Sequence, residues 1–180
     1  NLWLFRNYDH DINGLCMALL EGRADTAFVS FPSVKAGTTE NTVEILCPVD
    51  ARHFDTWRNT SSGNRGADYL ALKRRLQDAL LDLADEHIPG LREAVVYAEL
   101  ATPLSGEDFT SHPDGTFFGI PCTPERFKQE PFGPVTPVPG LLLSGQDVMC
   151  LGVMGALMGG VAAASQALGP AGFPRIQKAL

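Results

Sequence analysis

One stretch near the C-terminal end holds the residue types best suited to chemistry. An apolar run at residues 141–143 leads into Gly145, Gln146 and Asp147, and a glycine-rich apolar segment starts near Gly152. This order predicts a strand, a turn and a helix. N–H groups at the start of a helix carry partial positive charge, and a carboxylate beside them accepts hydrogen bonds from ribose or ribityl hydroxyls. The stretch therefore predicts a nucleotide or flavin site.

The glycines of the predicted helix allow more than one interpretation. Gly152, Gly155, Gly159 and Gly160 leave room for a flat cofactor or for another backbone to lie against the helix. Residues 148–169 contain no charged side chain, so a membrane span with a helix-packing motif is formally allowed. The abundance of Gly, Ala and Ser and the lack of basic flanks favour a buried helix of a larger soluble fold. Spacing alone does not separate a flavin contact from pure packing.

Composition argues against metal and nucleic-acid chemistry. The 180 residues carry a formal net charge of −7, which leaves no cationic field to attract nucleic acid. No C-x-x-C or H-E-x-x-H pair occurs, so neither a metal site nor a disulfide framework is predicted. The sequence starts without a secretion signal, so a cytoplasmic location is expected. The dispersed candidates for metal ligands are Cys16, Cys47, Cys122, Cys150, His10, His53, His87 and His112.

The β-branched and aromatic runs predict the strands. Residues 2–5, 26–31 and 42–47 each have strand character, and the last two are expected to be antiparallel neighbours joined by a loop at 35–41. A further strand is predicted at residues 92–100. Together these strands predict an antiparallel sheet in the first part of the chain.

Apolar residues spaced three and four apart predict the helices. One helix follows Asp11, which is placed to cap it, and is ended by Gly22. A longer helix is predicted at residues 67–87, with Pro89 and Gly90 after it. Its charged side chains are expected to face solvent.

Several stretches together form a family pattern. Residues 140–148 read Gly-Leu-Leu-Leu-Ser-Gly-Gln-Asp-Val, and residues 152–160 read Gly-Val-Met-Gly-Ala-Leu-Met-Gly-Gly. With the stretches at 28–35, 57–72 and 102–119, they resemble the phytoene-desaturase-like flavoproteins over nearly the whole chain. The Gly-Gln-Asp variant is most similar to the retinol saturase (all-trans-retinol 13,14-reductase) branch of that family.

The resemblance implies roles for individual residues. One group is implied to contact FAD, from its ribityl and pyrophosphate region to the isoalloxazine; another is implied to face the flavin and the substrate. For each aromatic residue of the second group a packing role remains open, and neither a catalytic residue nor a metal ligand is implied. The first group comprises Gly145, Gln146, Asp147, Gly152, Val153, Met154 and Gly155, and the second comprises Thr102, Pro103, Phe117, Phe118 and Gly119.

The chemistry implied by the resemblance is hydride transfer between flavin and a carbon–carbon bond of a retinol-like or carotenoid-like polyene, in the saturating or the desaturating direction. FAD is the implied cofactor, and NAD(P) is left open as the electron donor. The implied partner is an apolar polyene substrate. Association with a membrane surface and the oligomeric state are left open.

The expected fold is α/β in two parts. A substrate domain with an antiparallel sheet and helices is predicted at residues 1–130, and residues 131–180 are predicted to complete a Rossmann-like FAD-binding domain. No Gly-x-Gly-x-x-Gly fingerprint occurs. An N-terminal FAD-binding region is therefore expected to be missing, and the chain alone is expected to be inactive. The alternative is a stand-alone, non-catalytic interaction module whose glycine-rich helix, residues 152–168, docks a partner or a membrane.

Overall fold

The structure is a computed structural model, and it describes residues 1–39, 41–129 and 133–179. The chain divides into two units, Asn1–Gly115 and Thr116–Leu180. The predicted domain boundary at 130/131 and part of the predicted loop at 35–41 lie outside the described residues. The elements in chain order are β1 (Leu2–Phe5), α1 (Ile12–Leu20), β2 (Thr26–Ser30), α2 (Pro32–Ala36), β3 (Glu44–Leu46), a 3₁₀ helix (Ala51–Trp57), α3 (Ala67–His87), α4 (Leu91–Ala94), α5 (Pro103–Thr110), a second 3₁₀ helix (Pro113–Gly115), α6 (Pro124–Lys128), α7 (Gly152–Ala167) and α8 (Gly172–Gln177).

A mixed α/β arrangement organises the first unit. Its three-stranded antiparallel sheet has the order β1-β2-β3. Leu4 of β1 lies opposite Ala27 of β2, and Val29 of β2 lies opposite Ile45 of β3. Ala27 and Val29 are buried because the central strand also packs against α3. The predicted strands and the antiparallel pairing of the second with the third are confirmed.

Helix α3 supplies half of the buried core residues of the first unit. Its apolar positions recur at three and four residues, so they form one stripe that packs on the sheet. The predicted bounds of α3 and the Asp11 cap of α1 are confirmed; the Asp11 carboxylate accepts from the N–H of Gly14 at 2.9 Å. The buried residues of α3 are Tyr69, Leu72, Leu76, Ala79, Leu80, Leu83 and Ala84.

The strand predicted at residues 92–100 is wrong. The structure has the short helix α4 at its start, and the rest of the segment joins no ladder among the described residues. Arg92 donates hydrogen bonds to the carboxylates of Asp78 at 2.7 Å and Asp82 at 2.6 Å on α3. These bonds attach the start of the segment to α3, and β propensity without a neighbouring strand does not make a strand.

The second unit is built around α7. The strand predicted at residues 141–143 is reduced to an isolated antiparallel bridge between Leu142 and Val135. Helix α7 begins at the predicted residue, Gly152, and packs against α8. A Cβ on Gly172 would lie 2.0 Å from the carbonyl oxygen of Ser165, so only glycine allows α8 this close to α7.

Helix α7 is apolar, which raised the alternative of a membrane span. Within residues 1–39, 41–129 and 133–179, no helix combines the length and the hydropathy that crossing a membrane requires.

Candidate functional site

The segment between the Leu142 bridge and α7 forms a tight loop, residues 144–151. The N–H of Val148 donates to the carbonyl oxygen of Gly145 at 3.2 Å, and the N–H of Gly152 donates to the side-chain oxygen of Gln146 at 3.3 Å. The φ angles of Gly145 and Gly152 are +105° and +85°, a region that side chains make costly. The two predicted cofactor-binding glycines therefore set the shape of this loop.

Two glycines of α7 are explained by contact with the same loop. A Cβ on Gly155 would lie 1.7 Å from the carbonyl oxygen of Cys150, and a Cβ on Gly159 would lie 2.1 Å from that of Gly145. Residues four apart share one face of a helix, so these glycines let the loop backbone lie directly on α7. A Cβ on Gly160 would meet only the Ser144 hydroxyl, at 3.7 Å. The chain's own backbone therefore occupies the face that the Gly-x-x-x-Gly spacing provides.

Asp147 contacts Gly119, one of the predicted substrate-binding residues. Its carboxylate accepts a hydrogen bond from the backbone N–H of Ile120 at 2.8 Å. A Cβ on Gly119 would lie 2.0 Å from the same carboxylate oxygen, so the contact requires glycine there. Gly119 and Asp147 were assigned different roles from the sequence, and the structure places them against each other.

Arg126 of α6 is a site residue that the sequence analysis missed. It is buried, and its guanidinium donates to the carbonyl oxygens of Asp147 at 2.8 Å and Gln146 at 3.3 Å. The same group donates to the carbonyl oxygen of Ile120. A lone arginine on a five-residue helix has no motif around it, so no sequence signal could have identified it.

Open space borders the loop at Gly145 and Gly152 and also at Asp147. Beside Gly145 and Gly152 no atom lies within 4 Å of a Cβ built on either glycine. A cleft of about 610 Å³ is lined by Ser144, Asp147 and Arg126, among others. Asp147 as a whole residue is exposed beside this cleft, although its carboxylate contacts Gly119 and the N–H of Ile120.

The first turns of α7 present an apolar surface. Val153 is 86% exposed, Met154 67% and Leu157 58%. Leu151 precedes the helix and makes no capping bond; of the first-turn N–H groups, that of Gly152 donates to Gln146. The backbone N–H groups of the first turn and these side chains together offer a polar end and an apolar face, which is the donor set that a flavin with its phosphates requires. The residues present therefore fit the predicted cofactor.

The other predicted substrate residues are distributed over both units. Phe117 and Phe118, in the second unit, are 76% and 51% exposed. Thr102 and Pro103 belong to the first unit, where Thr102 is buried and its hydroxyl shares a 2.7 Å hydrogen bond with the Tyr69 hydroxyl. The Thr102 side chain is thus engaged internally. The roles of these residues toward a substrate remain predictions.

Comparison with known proteins points to a class of reductases. The chain is 29% identical over 150 residues to a protein of Rattus norvegicus and 28% identical over 147 residues to one of Danio rerio. Both are named all-trans-retinol 13,14-reductase, which confirms the predicted resemblance to the retinol saturase branch. The alignments cover 78% and 77% of this chain and 25% and 24% of the two relatives.

A second protein of Danio rerio, named inactive all-trans-retinol 13,14-reductase, is 30% identical over 151 residues; the alignment covers 77% of this chain and 24% of that protein. The chain thus spans about a quarter of the length of the curated relatives it matches. No family model matches the chain. No solved structure matches it either.

Proposed function

We propose that this chain is part of an FAD-dependent oxidoreductase that transfers hydride between flavin and a carbon–carbon bond of a retinol-like polyene. The observation that carries the proposal is the similarity, over more than three quarters of the chain, to proteins named all-trans-retinol 13,14-reductase. That similarity supports an oxidoreductase acting on retinol. We further propose that FAD is its cofactor, that its substrates extend to carotenoid-like polyenes, and that further chain contributes to the site.

The local geometry of the second unit supports this assignment. When bound, the flavin supplies the redox step, and the protein supplies binding and orientation. Asp147 is an exposed residue of a loop that is held in place by hydrogen bonds and by close contacts at glycines. Its carboxylate could accept a hydrogen bond from a ribityl hydroxyl. Val153 and Met154 offer an apolar surface to an aromatic ring at the start of α7. The open sides of Gly145 and Gly152 let a ligand approach the backbone.

The test is made on the native protein that contains this chain. Its visible absorption is recorded, the protein is denatured, and the released small molecule is identified by chromatography. The expected result is FAD, and absence of any flavin, both in the isolated protein and after incubation with FAD, would refute the proposal.

Substrate class is tested separately with all-trans-retinol as the probe. The reduced flavoprotein is incubated with retinol without oxygen, and the retinoid absorption is followed. Saturation of one double bond shortens the conjugated system, so the absorption is expected to move to shorter wavelength. A flavin that stays reduced beside an unchanged retinoid spectrum would rule out retinol as the substrate. This test is needed because one relative is named an inactive reductase.

A further inference from the structure

Arg126 connects two backbone segments that carry predicted site residues. One segment contains Gly119 and Ile120, and the other contains Gln146 and Asp147. The guanidinium donates to a carbonyl oxygen in each segment, with 2.8 Å between its Nη2 and the Asp147 oxygen. Since only 7% of Arg126 is exposed, these bonds are shielded from competition by water.

The peptide groups of Ile120 are held at both ends. Its N–H donates to the Asp147 carboxylate at 2.8 Å, and its carbonyl oxygen accepts from Arg126. Arg126 also bonds the main-chain oxygen of Asp147. The aspartate is thus fixed through its backbone by the arginine and through its side chain by the Ile120 amide. Both carboxylate oxygens lie against Gly119, so the side chain is held in one orientation.

We propose that Arg126 is a positioning residue, which sets the orientation of Asp147 and of the loop before α7 toward a bound flavin. It contacts backbone oxygens rather than the ligand, so it acts through Asp147. A planar guanidinium with several fixed donors suits this role, because one lysine ammonium cannot reach the Ile120 and Asp147 oxygens with the same geometry. The choice of flavin as the ligand rests on the proposed function. The ordering of the loop by Arg126 rests only on the contacts described above.

The experiment compares three variants of the native protein: Arg126→Met, Arg126→Lys and Lys128→Met. The last removes an exposed positive charge from the same short helix and serves as the matched control. Backbone hydrogen exchange is measured at Ile120 and Val148, with amides of α3 as internal reference. Binding of FAD to the cofactor-depleted protein is measured by titration.

The expected result for Arg126→Met is exchange about tenfold faster at Ile120 and FAD affinity weaker by about tenfold or more, with the α3 amides and Lys128→Met unchanged. Arg126→Lys is expected to fall between Arg126→Met and the wild type; it preserves the charge and serves as the test if Arg126→Met does not fold. Unchanged exchange at Ile120, or faster exchange with FAD affinity intact, would overturn the proposal. If the wild type binds no FAD, the proposed function fails, whereas the exchange data still decide whether Arg126 orders the loop.

Discussion

At the scale of single residues, burial divides the four cysteines into two classes. Cys122 and Cys150 are exposed, whereas Cys16 is buried and Cys47 half-buried. Burial raises the pKa of the Cys47 thiol to about 12, and it raises the pKa of Cys16 as well. Both thiols lie 3.6 Å from the carbonyl oxygen of Pro48. Their neutral form is therefore favoured in the folded chain.

This difference predicts two rates of reaction with a thiol-specific reagent. With a pKa of about 12, only about 10⁻⁴ of the Cys47 side chains are thiolate at pH 8. In the folded chain we expect Cys47 to react at least about a hundredfold more slowly than the exposed Cys122 and Cys150, and the buried Cys16 also to react more slowly than these two. The rates are measured by mass spectrometry, and equal rates for Cys47 and Cys122 would contradict the burial of Cys47.

The raised pKa values also make stability depend on pH. Because cysteine thiols of the unfolded chain ionise near pH 8.5, raising the pH above that value favours unfolding.

The buried hydrogen bond between Tyr69 and Thr102 gives a second residue-scale prediction. Tyr69→Phe leaves the buried Thr102 hydroxyl without that 2.7 Å partner, so the free energy of unfolding should fall by about 1–2 kcal/mol. Tyr97→Phe is the control, because the Tyr97 hydroxyl bonds Glu99 at an exposed position, and its effect should stay within about 0.5 kcal/mol. The free energy of unfolding of both variants is measured by urea titration with tryptophan fluorescence as the signal. The ring of Trp57 reports on this region because it lies 5.6 Å from the ring of Tyr69. Equal effects of the two substitutions would mean that the buried bond contributes nothing.

Residue types alone identified part of the candidate site. Asp147 and the glycines around it could be found because a carboxylate next to a glycine-rich helix start is a local pattern. The contact between Gly119 and Asp147 could not be found, because it joins positions 28 residues apart through one tight approach. Arg126 was missed for the same reason. The oxygens of Ile120, Gln146 and Asp147 to which it donates belong to the backbone, which leaves no trace in a sequence.

At the scale of elements, the glycines of α7 provide a matched pair of substitutions. Gly159→Ala puts a Cβ 2.1 Å from the Gly145 oxygen, and neither backbone can move without displacing the loop. We expect this change to destabilise the loop–helix contact by about 2–3 kcal/mol. Gly160→Ala has room, with its nearest contact at 3.7 Å, and should be neutral or stabilising by up to about 1 kcal/mol because alanine favours helix.

The comparison is measured by hydrogen exchange of the α7 amides and by the thermal unfolding of the chain. Faster exchange in Gly159→Ala but not in Gly160→Ala is expected. If both variants exchange alike, α7 is not held by the loop, and the glycine spacing requires another explanation.

Elements with strong periodicity could be predicted from the sequence, and those that depend on distant partners could not. The stripe of α3 repeats over 21 residues, so no other structure would bury it as well. Residues 92–100 have strand propensity, but they begin with the short helix α4 and pair with no strand among the described residues. The run at 141–143 likewise forms only one bridge. A strand is defined by its neighbour, and the neighbour is not a local property of the sequence.

At the scale of the whole molecule, large apolar side chains are exposed at many of the described positions. The exposed face of α7, formed by Val153, Met154 and Leu157, is one such surface. Contiguous apolar surface of this kind marks a place where a ligand or another chain binds. In the proposed function it faces the flavin.

Replacing this face by charge gives the prediction at this scale. The double substitution Met154→Lys with Leu157→Lys retains helix-forming residues at exposed positions, so α7 should persist. Fluorescence of a dye that binds apolar surface should fall by about two- to threefold, and the FAD binding that we propose for the native protein should be lost. Val96→Lys, at a fully exposed position outside α7, is the control and should change neither measurement. Dye binding that falls while FAD is retained would place the flavin elsewhere, because a ring lying on this face could not tolerate two lysines beneath it.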